Sequence, residues 1–171
     1  MYRYTLSFSL LIIFMFVLAG CSGKSEQQLW NAAQKAQKEE RLKEAADIFE
    51  KLADDYPQSI NASKALFESA KIYHAGVVKN ISQDESLNKG ISIYKKIYNQ
   101  YPKSEEAPKS LFMVGFIESN DLRRYDSATV AYKLFIEKYP DNEMVPSAKS
   151  ELDNMGLSPQ EIVKKNLVEK K

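Results

Sequence analysis

The apolar positions of this chain fall into two regimes. From Leu10 to Ala19 (LLIIFMFVLA) they form an unbroken run, whereas beyond Cys21 they recur three and four residues apart, the spacing that gathers side chains on one face of an α-helix. Leu29, Ala32, Ala33 and Ala36 make one such stripe. Leu42, Ala45, Ala46, Phe49 and Leu52 make the next, across the polar turn Lys38-Glu39-Glu40-Arg41. No segment beyond Cys21 sustains a period of two, so the expected class is all-α. Ser25 with Gln28 three residues on predicts a capping-box start for the first helix. The second ends at Tyr56-Pro57, because proline disfavours helix in the residue before it.

The same dipeptide returns at Tyr101-Pro102 and Tyr139-Pro140, 45 and 38 residues further on. Spacings of this size signal stacked supersecondary units. The segments after each proline align without a gap: QSINASKALFESAKIY, KSEEAPKSLFMVGFIE and DNEMVPSAKSELDNMG. Each unit reads as two helices, with small alanines where they cross and an aromatic filling the space beside them. The second unit carries about eight extra residues, expected as a longer inter-helix loop within the polar stretch Val77 to Lys89, at little cost in stability. After Pro140 the positions of Leu66-Phe67 and Leu111-Phe112 are taken by Lys149-Ser150, polar where another repeat would dock, as a terminal cap requires. The repeat domain is thus expected over 26–157. Gly156 suits the end of the cap, and Ser158-Pro159-Gln160-Glu161 starts a short last helix and tail over 158–171. Its final residues, Val168 to Lys171, are expected to fray.

These positions resemble the tetratricopeptide repeat: Ala33, Ala45, Phe49 and Pro57 in the first unit, Ala70, Tyr73, Gly90, Tyr94 and Pro102 in the second, and Gly115, Ala128, Tyr132 and Pro140 in the third. Ala36 stands where the family usually has tyrosine. The resemblance implies helix-turn-helix repeats forming a short right-handed superhelix, with the first helices lining a concave groove. In that register Trp30, Phe67 and Phe112 hold equivalent groove-facing positions, Lys64 and Lys109 a neighbouring one, and Lys71, His74 and Phe116 lie further along. Aromatics flanked by cations suit a bound peptide segment. The other reading is that the rings complete the packing between repeats. Both stand for Trp30, and for Phe67 packing leads.

Ahead of the repeats, Arg3 and small polar residues precede the apolar run, the layout of an export signal over residues 1–20. The run is half the roughly 20 apolar residues that a membrane-crossing helix needs. Leu18-Ala19-Gly20-Cys21 resembles the lipobox of bacterial lipoproteins, which implies S-diacylglycerol on the Cys21 thiol, cleavage before it and N-acylation of the new amine. Several acyl chains make such attachment effectively stable. Ser22 after the cysteine resembles an outer-membrane address, and residues 21–25 are then a lipidated tether reaching only about 14–18 Å.

Composition narrows the chemistry. The whole chain has 24 Lys and Arg against 23 Asp and Glu, and loss of the leader removes Arg3, leaving equal numbers. That balance gives no reason to expect a nucleic-acid partner. One cysteine, assigned to lipid, leaves no disulfide. No phosphate loop, dinucleotide fingerprint or metalloprotease motif occurs, and a single histidine cannot supply most catalytic or zinc constellations. The pairing in view for His74 is with Asp84 or Glu85. No catalytic residue, metal, small-molecule substrate or cofactor beyond the covalent lipid is therefore expected.

A lipobox followed by repeats with YPxS-type boundaries (Tyr56-Pro57-Gln58-Ser59, Tyr101-Pro102-Lys103-Ser104) is similar to two envelope families. One is the BamD-type outer-membrane assembly lipoproteins, which implies a periplasm-facing scaffold with the barrel-assembly machinery as partner. The other is the Tol-Pal-associated coordinators known as CpoB or YbgF, which implies an adaptor linking constriction to wall synthesis. The lipid anchor favours the first. About three helix pairs, where assembly lipoproteins usually have about five, count against a complete equivalent.

Overall fold

A computed structural model describes residues 23–169, so the leader, Cys21, Ser22 and the final two lysines lie outside the described residues. Eight α-helices occur among the described residues: α1 (Glu26–Lys38), α2 (Leu42–Asp55), α3 (Ile60–His74), α4 (Gln83–Gln100), α5 (Glu106–Phe116), α6 (Tyr125–Lys138), α7 (Val145–Asn154) and α8 (Pro159–Glu169). A π-helical turn, Ile117–Asp121, follows α5 directly. From α1 to α7 each helix packs on the next, and α3 also touches α5, so α1/α2, α3/α4 and α5/α6 form three stacked pairs. No helix of the described residues is long and apolar enough to cross a membrane.

Each pair is built on the stripe its sequence displays. Leu29, Ala33 and Ala36 of α1 are buried against Ala45, Ala46, Phe49 and Leu52 of α2, and Ser25 closes a full capping box with Gln28. Between them the chain reverses through a Schellman-type turn, Arg41 N–H donating to the Ala36 carbonyl at 2.9 Å, with Glu40 in the left-handed region at φ 57°.

The Tyr-Pro corners repeat almost identically. Tyr56, Tyr101 and Tyr139 leave the helix with φ/ψ of −127°/57°, −123°/52° and −131°/57°. Their carbonyls accept from Ser59, Ser104 and Asn142 N–H at 3.0, 2.9 and 3.0 Å. These are turns with proline at the second position, where its fixed φ is already correct. The first corner also holds the N-terminus, because Tyr56 Oη donates to the Lys24 carbonyl at 2.9 Å.

The stretch expected as a long loop is a loop only from Ala75 to Ser82. Gln83 to Lys89 form the first two turns of α4, which at 18 residues is longer than α2 or α6 at 14. Ser82 caps these turns, Asp84 and Glu85 sit in the first of them, Leu87 is buried, and the buried Ser86 donates to the Tyr73 carbonyl at 2.6 Å. The polar composition is that of a helix with one narrow buried edge, and polarity alone does not distinguish it from a loop.

Gly115 permits the closest approach in the third pair. A Cβ placed there meets the Tyr132 ring at 2.8–2.9 Å. Tyr132 is itself fully buried, so its ring has nowhere to retreat. Beyond α6, α7 buries Val145 and Ala148 and exposes Lys149 and Ser150, and the chain turns at Gly156 (φ 79°) into α8. Ser158 and Glu161 start α8 reciprocally: Ser158 N–H donates to Glu161 Oε2 at 2.8 Å and Glu161 N–H to Ser158 Oγ at 3.4 Å. Gly115→Ala is expected to lower unfolding stability by about 1–3 kcal/mol, the usual range for overpacking a tight core. Urea denaturation of the variant checks this.

Candidate protein-binding groove

The first helices of successive pairs, α1, α3 and α5, carry the residues singled out by sequence register. Each presents a half-buried aromatic that meets a buried ring of its own second helix edge-on. Trp30 meets Phe49 at 5.3 Å and 68°, Phe67 meets Tyr94 at 5.4 Å and 65°, and Phe112 meets Tyr132 at 5.4 Å and 66°. Phe112 also contacts Phe135 at 5.7 Å. All three rings therefore join the core along one edge and keep another edge at the surface. Burial raises the Tyr94 phenol well above its ordinary value. It pushes Tyr132 up to about 12, with Ser119 opposing part of the rise, so both remain neutral under ordinary conditions.

Lys64 of α3 lies over the Trp30 ring of α1, Nζ at 5.4 Å from its centroid, so the two predicted residues bridge adjacent pairs. Lys64, Phe67 and Lys109 line one cleft between α3 and α5, about 580 Å³ in volume, together with Ile60, Asn61, Glu68 and the Lys103–Glu106 turn. Ser63 Oγ donates to Glu106 Oε2 at 2.8 Å in this cleft and joins the two helices. Lys109 donates to Glu105 at 2.6 Å, which draws the Glu105 carboxyl below its usual value and lifts the Lys109 ammonium. Lys71 is paired with Glu68 at 3.0 Å on the exposed face.

The remaining predicted residues form a second cluster. His74, at the end of α3, lies edge-on to Phe116 at 6.2 Å and places Nε2 3.0 Å from Asp121 Oδ2. Its partner is thus a residue of the π-helical turn, not Asp84 or Glu85. Those two are drawn instead into the first turn of α4, where Ser82 caps the helix. Phe112 is not among the residues lining the α3/α5 cleft. Cys21 lies outside the described residues.

Two features of the cleft escape a register-based reading. Ile60 is 90 % exposed at its rim, an apolar residue three positions after Pro57 where the other units have Glu105 and Glu143. Aligning the three prolines displays that exception. Glu26 of α1 reaches across to accept from Asn61 Nδ2 and from Ser59 Oγ, the latter at 2.7 Å, and these bonds hold its carboxyl below the usual value of 4.5. Nothing in the local sequence connects residues 33 and 35 positions apart.

The cleft offers an aromatic edge, an exposed isoleucine, mixed charges and backbone corners, which suit recognition of a peptide or protein surface. Among the described residues no three His, Cys, Asp or Glu side chains gather to hold a metal ion. The family model described as tetratricopeptide repeat matches residues 29–59, which span most of α1, all of α2 and the first Tyr-Pro corner. Repeats of this kind generally mediate protein–protein interaction. No curated protein is significantly similar to the chain.

Trp30→Ala removes an aromatic contact and a cation–π partner, and is expected to cost at least about 1 kcal/mol of stability. An unchanged denaturation midpoint would overturn the packing role of the ring. Glu26 contributes stability that is full above the ordinary carboxylate value and lost as pH falls through its depressed folded value. Glu26→Gln should therefore flatten the fall in urea midpoint between about pH 5 and pH 3.

Proposed function

We propose that this chain is a non-catalytic lipoprotein of the bacterial cell envelope that acts as a protein–protein interaction scaffold. The observation that carries this reading is the first-helix face. It is a regular series of half-buried rings with a cleft of mixed polarity beside them, on a stacked-pair framework of the kind that binds protein segments. The lipobox Leu18-Ala19-Gly20-Cys21 supplies the anchor, with S-diacylglycerol and an N-acyl group on Cys21, and Ser22 favours the outer membrane facing the periplasm. Only Ser22 to Ser25 then separate the lipid from α1, so the cleft works close to the membrane surface.

The specific version placed first is service to the assembly of outer-membrane β-barrel proteins, with the barrel-assembly machinery as partner. This follows the resemblance of lipobox and Tyr-Pro-bounded repeats to BamD-type lipoproteins. One observation favours a second reading, an adaptor to the Tol-Pal system or to wall synthesis. Three helix pairs and a polar cap make a shorter array than the assembly lipoproteins usually have. A cap with Lys149 and Ser150 exposed ends the stack at that point.

In-cell crosslinking of the tagged chain, with Cys21→Ala as control and mass spectrometry of the captured proteins, tests both. Recovery of barrel-assembly components with the lipidated form, lost in Cys21→Ala, is the expected result. Recovery of Tol-Pal or wall-synthesis proteins instead replaces the first version with the second. Fractionation of Cys21→Ala with the membrane, in amounts equal to the parent, would overturn the lipid anchor.

A further inference from the structure

The place where the tether enters the folded domain is fixed more closely than the number of linker residues implies. Lys24 is held at the first Tyr-Pro corner, because its carbonyl accepts from Tyr56 Oη at 2.9 Å. The free chain between Cys21 and the domain is thereby cut to the three steps from Cys21 to Lys24, a reach of roughly 10–11 Å when extended. A bilayer's headgroup layer is about 5–8 Å thick on each side. A corner tied that closely to a glyceryl group on Cys21 has to lie at the headgroups.

The start of α3 is brought to the same place. Glu26, in the first turn of α1, accepts from Ser59 Oγ and from Asn61 Nδ2, so the residues on either side of Ile60 are bonded to the helix that the tether enters. At 90 % exposure Ile60 is the most exposed large apolar side chain among the described residues, and the positions equivalent to it are Glu105 and Glu143. Carboxylates around it are already engaged: Asp55 with Lys51 at 2.8 Å, Asp54 with Lys96 at 2.7 Å and Glu105 with Lys109 at 2.6 Å. Lys24 and Lys103 are exposed on the same edge. An apolar tip flanked by cations suits the interface of a bilayer that contains anionic lipid. Val77, the exposed apolar residue beyond the other end of α3, is separated from Ile60 by a helix of 15 residues, about 22 Å long, which is outside the reach of the tether.

We propose that the first Tyr-Pro corner is a membrane-contact edge, at which Ile60 inserts among the headgroups of the bilayer and Lys24 and Lys103 face lipid phosphates. This rests on the reading of Cys21 as the lipid anchor. A bilayer is preferred to a protein as the occupant because the free tether, at roughly 10–11 Å, is no longer than the diameter of one helix with its side chains. The corner and the membrane therefore have little room for a partner between them. In this arrangement α1 and α3 stand with their N-termini toward the bilayer. The α3/α5 cleft then has its Ile60 end at the membrane and its Phe67 end away from it, so a segment bound there is held at the lipid surface.

The test uses the full chain, produced in a bacterium that processes lipoproteins and reconstituted in phosphatidylethanolamine–phosphatidylglycerol vesicles. Cys21 is the only cysteine, so with its sulfur in lipid Gln58→Cys supplies a single free thiol beside Ile60 for a nitrobenzoxadiazole fluorophore, and Lys79→Cys supplies one beyond the far end of α3. The expected result is that the label at position 58 emits at shorter wavelength, is quenched by lipids carrying a nitroxide near the headgroup and is protected from aqueous iodide. The label at position 79 should show the opposite pattern. Ile60→Glu, which places the residue of the other two units on this exposed position, should abolish the lipid quenching at position 58, whereas Ile60→Leu should keep it. An iodide-accessible label at position 58 on chains that carry lipid by mass spectrometry and float with the vesicles would overturn the proposal and leave the anchor standing. Protection from iodide without lipid quenching would overturn it in favour of a second copy covering the corner, and quenching unchanged in Ile60→Glu would overturn the role of Ile60. Absence of lipid on Cys21 by mass spectrometry would remove the anchor and the proposal with it.

Discussion

How closely two helices approach decides the rest of this structure. Within each pair the crossing points are occupied by residues with little or no side chain, and one large ring fills the space that they leave. In the first pair these are Ala33, Ala36, Ala45 and Ala46 beside Phe49, and in the third Gly115 and Ala128 beside Tyr132. Gly90 serves the second pair differently, since a Cβ there meets backbone, the Ala70 carbonyl and the His74 nitrogen, both at 3.3 Å. Once that spacing is fixed, the first-helix aromatics can only meet the buried rings edge-on, as three nearly equal sets of distances and angles attest. The surface rings of the groove are consequently positioned by the core and need no support of their own.

The helices and the corners between units were legible because both arise from local chemistry. A stripe at helical spacing and a tyrosine before proline act over a few residues, and the Tyr-Pro corner occurs three times. The first two turns of α4 look like loop in the sequence because their buried edge is only Ser86 and Leu87, too narrow to outweigh Gln83, Asp84, Glu85 and Lys89. The π-helical turn gives no periodic signal, being a single widened turn with Leu122 N–H bonded to the Ile117 carbonyl. That turn carries Asp121 to His74, so the histidine's partner depended on a feature that the sequence does not display. At the site, Lys64, Phe67 and Lys109, which register groups together, line one cleft. Register gave no access to contacts such as Glu26 with Asn61, which arise only when α1 and α3 are side by side.

The two long faces of the stack have unlike characters. On the first-helix side the seam between α3 and α5 is broad, polar and rimmed by an exposed isoleucine. On the second-helix side the α2/α4 seam is closed by the Lys89–Glu50 and Lys96–Asp54 ion pairs, while the α4/α6 seam is a narrow slot with apolar walls. Substitutions at equivalent positions thus change what the surface can recognise while leaving the backbone framework alone, because the residues that set helix spacing lie elsewhere. A repeat architecture separates these two demands more readily than a fold in which the same side chains must satisfy both.

The bond from Tyr56 Oη to the Lys24 carbonyl joins the segment before α1 to the end of α2, 32 residues away in sequence. Tension on the N-terminal side of Lys24 would divide between the start of α1 and the Tyr56-Pro57 corner. The corner in turn leads into α3, whose cap residue Ser59 also holds Glu26. The first helix is thereby shielded from being peeled away alone, and a mechanical load entering from that end is shared by two helix pairs at once.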